Sequence, residues 1–186
     1  MSTKVSREEA LDSVRANIQD KSMVKHMLAT EAIMRHLARR LGEDEDEWGL
    51  TGLLHDIDLE LVEGDLRNHA ILGADLAREL GASEKMAHAI WCHNETLGVP
   101  RETKLDKALF CADPLSGLIT AAALIRPDKI SGLTTKSVMK RFKERRFAAS
   151  VNREQVAQCQ EIGLELEEFV QIGLKAMKEI APELEL

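Results

Sequence analysis

Apolar positions recur through most of the chain at spacings of three and four residues, and no window alternates with a period of two, so the pattern predicts helices joined by short breaks. Ser6 followed by Glu9 reads as a capping box that opens a helix through about Ile18. Ser22 is placed to cap a longer helix ending near Leu41, stopped by Gly42. The acidic run 43–47 favours the first turn of a third helix carrying Trp48, Leu50, Leu53 and Leu54. Segment 66–80 is amphipathic and ends at Gly81, Ser83 caps the next helix through about Asn94, and Thr103 with Asp106 opens another that runs past Asp113. Pro114 predicts a kink or break at Asp113, and 127–134 reads as loop. Further helices are expected near 135–144, 152–162 and 166–181.

Composition agrees with this reading. Of 186 residues 44% are hydrophobic and 31% charged, while 11 Gly, 4 Pro and no Tyr leave few turn formers and aromatics for a sandwich or barrel. The expectation is an all-α protein, one compact domain over 1–186, without internal repeats. A formal charge of −7 predicts no partnership with a long nucleic acid, but a local cationic site would still admit a small phosphorylated ligand. No run approaches the ~18 apolar residues of a membrane span, and the polar opening MSTKVSREEA is no signal-peptide core. Cys92, Cys111 and Cys159 lack a CxxC pairing and read as free, buried thiols, so a cytoplasmic location without membrane partners is expected.

The polar residues that fall on apolar stripes carry the chemistry. In the second helix Met23, Met27, Met34, Leu37 and Leu41 form one face with His26 at its edge, whereas His36 falls among Arg35, Arg39 and Arg40. His69 shares a face with Leu72, Gly73, Leu76 and Leu80. His93 lines up with Met86 and Ile90, and His88 points away. His55-Asp56 follows the buried Leu53-Leu54, and Asp113 ends the apolar run LFCAD. Each alone is explained by a hydrogen-bonded core histidine or a helix cap. Together they must be paired or bound to metal, because uncompensated buried charge costs several kcal/mol. Neutral imidazole with carboxylate suits a divalent Fe, Mn, Co, Ni or Zn ion.

In this setting HMLATEAIMRHLARRLG followed by LTGLLHDID resembles the opening of the HD-domain metal-dependent phosphohydrolases. The blocks NHAILGADLARELG, AIWCHNETLG and ALFCADPLSG are similar to the rest of that family's metal pattern, nearest to branches that bind two metals, including bacterial dinucleoside-polyphosphate hydrolases. The C-terminal part looks like that of small bacterial HD proteins. The resemblance implies an HD-type helical bundle, with a metal-binding core over about 22–118 and helices over about 135–182 packed on it. It implies that His26, His55, Asp56 and Asp113 hold a first divalent ion (Fe, Mn, Co, Ni or Mg), and that His69 and His93 hold a second with Asp56 bridging. HDIDLE replaces the frequent His-Asp-Ile-Gly-Lys, and His93-Asn94 stands where the cyclic-di-nucleotide branch has paired histidines.

The expected activity is hydrolysis of a nucleotide or other small phosphorylated metabolite by metal-activated water. Asp56 is expected to bridge the ions and Asp58 to orient the water or act as general acid/base, or else to cap a helix. Asn94 and Glu95 are candidates to support the ligands, and Arg126 and Lys140 to bind substrate phosphate. Two alternatives keep the same residues: an oxygen-dependent di-iron enzyme of the HD fold, and a non-catalytic metal-binding module.

Overall fold

The computed structural model describes residues 5–186, and among these every regular element is helical. In chain order the α-helices are α1 (Arg7–Asn17), α2 (Lys21–Leu41), α3 (Glu45–Leu54), α4 (Ile71–Leu80), α5 (Glu84–His93), α6 (Lys104–Leu124), α7 (Thr135–Lys143), α8 (Arg153–Ala157), α9 (Leu166–Glu179) and α10 (Ala181–Leu184). The expected all-α fold is therefore present.

Side-chain caps set most helix starts: Ser6 and Glu9 form the anticipated capping box on α1, and Thr103 and Asp106 form another on α6. α2 starts one residue earlier than its expected cap, because Asp20 accepts the Ser22 amide at 2.7 Å. The two 21-residue helices α2 and α6 make the centre of the bundle. α2 packs against α3, α6 and α9, and α6 also receives α5, α7 and α8. Met27, Ile33, Met34 and Leu37 meet Leu109, Leu115 and Ile119 in the fully buried core. α6 has the length and apolar content of a membrane span, yet most of that stretch is buried inside the bundle.

Two elements differ from expectation. Residues 56–70 form successive turns instead of entering a helix at 66, and α4 begins only at Ile71 after Ala70 in the left-handed region (φ 73°). α6 also runs through Pro114 without the break that was one of the two outcomes expected there. Proline lacks the amide that would bond the carbonyl four residues back, so the Phe110 carbonyl is freed. Gln155 Nε2 of α8 donates to it at 2.9 Å. This bond satisfies a carbonyl in the core and ties α8 to the middle of α6.

Gln155→Leu is accordingly expected to lower stability by about 1–2 kcal/mol in denaturant unfolding. In a Pro114→Ala background, where Phe110 regains a helical donor, the same change is expected to cost clearly less.

Candidate metal centre

The polar cluster assembles from helix ends and one helix centre. His26 comes from α2, His55 and Asp56 end α3, His69 lies on the turn before α4, His93 is the last residue of α5, and Asp113 stands midway along α6. All four imidazoles turn Nε2 inward. Asp56 Oδ2 lies 3.2 Å from His55 Nε2 and 3.5 Å from His26 Nε2. Its other oxygen, Oδ1, lies 3.3 Å from His93 Nε2 and 3.4 Å from His69 Nε2. Asp113 Oδ1 joins the first group, 3.2 Å from His26 Nε2 and 3.9 Å from His55 Nε2. One carboxylate thus divides the donors into two sets.

These spacings fit cations. Bonds of about 2.1 Å set neighbouring ligand atoms roughly 3.0–3.5 Å apart. The outward Nδ1 atoms are equally informative, because each meets a fixed partner. His55 Nδ1 donates to the Gly52 carbonyl at 2.8 Å, and His93 Nδ1 to the Ile90 carbonyl at 2.5 Å. His26 Nδ1 meets Ser116 Oγ at 2.9 Å, and that hydroxyl donates to the Asp113 carbonyl at 2.8 Å. His69 Nδ1 donates to Asp58 Oδ1 at 2.9 Å. A proton held on every Nδ1 leaves Nε2 as the atom each imidazole turns to the centre, the arrangement that metal ligation requires.

The family model for the HD domain matches residues 23–118, the stretch that supplies all six of these side chains. This chain belongs to the HD domain family. The HD domain places it in the superfamily of metal-dependent phosphohydrolases. Relatives include the Ribonuclease Y proteins of Oleidesulfovibrio alaskensis, 37% identical over 97 residues, and Lawsonia intracellularis, 36% identical over 106 residues. The Thermobifida fusca Ribonuclease Y is 35% identical over 97 residues. These alignments cover 52%, 55% and 52% of this chain but 18%, 20% and 19% of the relatives, so the chain spans about a fifth of their length. No solved structure matches the chain.

The relatives correct one expectation. Net charge argues against a long nucleic acid and the family resemblance implies a small phosphorylated substrate, yet the relatives named above are ribonucleases. Net charge averages over a whole surface, whereas a strand is held where cations are locally concentrated.

Several residues find other places than expected in this HD domain. Asp58 is fully buried: its Oδ2 accepts the amides of Ala70 at 2.7 Å and Gly73 at 2.9 Å, while Oδ1 holds His69. A Cβ on Gly73 would stand 3.2 Å from the Asp58 carboxyl carbon, so glycine admits the carboxylate to the helix start. Asp58 therefore caps α4 and positions His69, and it is closed off from solvent. His69 owes its orientation to this anchor and not to a helical face. Asn94 secures the same turn through bonds from Nδ2 to the carbonyls of Leu66 at 2.7 Å and His69 at 3.0 Å.

The structure does not bring Arg126 or Lys140 to the cluster. Arg126 lies 13 residues beyond Asp113, about 20 Å at helical rise, and its guanidinium pairs with Asp128 at 2.8 Å. Lys140 is exposed on α7 and lines neither cavity that borders the cluster. Lys25 and Lys129 instead line a cavity of about 470 Å³ with His26, where Lys25 pairs with Glu185 at 2.5 Å and Lys129 Nζ donates to the Glu185 carbonyl at 2.6 Å. Lys25 adjoins His26 along α2, whereas Lys129 reaches the same cavity from the turns that follow α6, which no local pattern announces. Ser116 was equally unmarked, one helical turn after Asp113. His36 is not turned to open solvent: its Nε2 lies 3.1 Å from Glu179 of α9.

The electrostatics follow from crowding. Burial opposes charge on His26, but Asp113 and Asp56 outweigh it and raise the imidazole to about 10. Burial likewise opposes ionisation of Asp56, yet the facing imidazoles, His55 foremost, hold it well below the usual carboxylate range. Asp113 is lowered too, because the His26 contact overcomes burial. A proton and a divalent cation compete for His26 Nε2, so binding must release that proton.

Calorimetric titration with Mn(II) is expected to show affinity rising about tenfold per pH unit between roughly pH 6 and 8, as the displaced proton is more readily lost at higher pH. Asp58→Asn, which can no longer accept the His69 proton and both amides together, is expected to weaken binding of one ion by roughly 10–100-fold while far-ultraviolet dichroism stays unchanged.

Proposed function

We propose that this HD domain hydrolyses a phosphodiester bond of an RNA strand, with His26, His55, Asp56 and Asp113 holding one divalent cation and His69, His93 and Asp56 a second. The single observation that carries the reading is the division of Asp56, one oxygen facing two histidines and the other facing two more. Bound cations supply two things there: water acidified towards neutral pH and a clamp on the charge that spreads over the phosphoryl oxygens.

The protein's own contribution is placement. Four Nδ1 anchors fix the imidazole planes before substrate arrives, so little reorganisation is needed during reaction. The Asp56, His69 and Asp113 side walls open into a shallow cleft of about 270 Å³, bordered by Leu66, Asn94, Glu95, Thr96 and Gln155. His26 and Asp113 are the most open members of the set, with side chains 21% and 27% exposed, so substrate phosphate approaches from their side. An open cleft suits a strand that passes across the centre. The ribonuclease relatives supply the strand's chemistry.

The test is cleavage of end-labelled single-stranded RNA with Mn(II), Fe(II), Co(II), Ni(II) or Mg(II) added in turn. Shortened products are expected under air and under anaerobic conditions alike; turnover that stops without oxygen would instead identify the di-iron oxygenase chemistry. Asp56→Ala is expected to reduce the rate by at least about a thousandfold and to remove most bound metal, because both donor sets lose their shared oxygen. His36→Ala is expected to keep RNA cleavage within about twofold. A protein that binds metal but cleaves no phosphodiester would leave only the non-catalytic module.

A further inference from the structure

A second group of metal-ligand side chains lies between α5 and α6, apart from the HD cluster. His88 and Cys92 are four residues apart and share one face of α5. Asp106 enters from the first turn of α6. The donor atoms of these three residues all lie within 4.8 Å of one another. Asp106 is fully buried, and its two oxygens are treated differently. Oδ2 accepts the amides of Glu102 at 2.9 Å and Thr103 at 2.8 Å and lies 3.2 Å from His88 Nδ1. Oδ1 is shut off from solvent and, among the described residues, has no hydrogen-bond partner. A buried carboxylate oxygen left unpaired is destabilising, so the arrangement is incomplete as a helix cap alone.

We propose that His88, Cys92 and Asp106 form a second metal site that takes a borderline divalent cation of the zinc class. The donor set of one imidazole, one thiolate and one carboxylate is the kind that favours zinc over magnesium or calcium. The Asp106 carboxylate supplies the oxygen ligand, and the amides on Oδ2 hold the group in place. Burial pushes the Cys92 thiol up to about 12, and the incoming cation displaces its proton to solvent so that the sulfur binds as the thiolate. His88 is 31% exposed and provides the route of entry, with the fourth position open to water. The ion would clamp the start of α6 to α5, the helix whose last residue is His93, and so has a structural role. This inference does not depend on RNA being the substrate or on the HD cluster being occupied.

Cobalt distinguishes the two places, because every donor in the HD cluster is nitrogen or oxygen. Full-length protein, kept reduced and stripped of metal, is titrated with Co(II) and followed by absorbance. A thiolate-to-cobalt charge-transfer band is expected in the unaltered protein and in Asp56→Ala, and is expected to vanish in Cys92→Ser. His88→Ala, a change at a partly exposed position that leaves the core packing intact, is expected to weaken the titration at least about tenfold and to abolish the rise in melting temperature produced by Zn(II). Absence of the band in the unaltered protein, or a band of full strength in His88→Ala, would overturn the site.

Discussion

The carboxylate of Asp56 stands among four imidazoles in a region almost closed to water, and the rest of the structure can be understood as what makes that position tolerable. A charge buried this deeply is stable only if opposite charge or cations surround it. His26, His55, His69 and His93 do so from four different segments, and Asp113 adds a second negative group on the open side. The balance is unequal on purpose of chemistry: two carboxylates with neutral imidazoles leave net negative charge, which a divalent cation satisfies and a single proton on His26 satisfies only in part.

Holding five segments to a common point demands stiffness in the supports. The supports are backbone carbonyls at Gly52 and Ile90, the Ser116 hydroxyl, and the Asp58 carboxylate. Two of these are the last-turn carbonyls of α3 and α5, groups that a helix end leaves unpaired and that here accept an imidazole proton. Pro114, next to Asp113, removes a bond from the middle of α6, and Gln155 replaces it from α8. The C-terminal helices therefore do more than cover the HD core, since one of them completes the helix that carries Asp113.

The surface is acidic overall, yet relatives act under the name of ribonuclease. The two facts are compatible if cations in the centre meet the phosphate directly, so that the protein need not present a broad basic face to one scissile bond. Lys25 and Lys129, the cationic side chains in the cavity beside His26, are engaged by Glu185 and show how locally charge is organised there.

Periodicity alone determined that this chain is a helical bundle, because burial of an apolar stripe every three to four residues has no other compact solution. It also marked His26, His55, Asp56, His93 and Asp113 as polar groups at the core boundary, since their helical phase is local. Local phase could not decide the place of His69, which sits on a turn and is aimed by Asp58 from eleven residues away. Nor could it foresee the continuity of α6 through Pro114, or that Arg126 and Lys140 point elsewhere while Lys129 reaches the cavity beside His26. Those outcomes depend on which carbonyls are freed, which carboxylates fill them and how helix ends meet, and such long-range pairings exist only once the chain has packed.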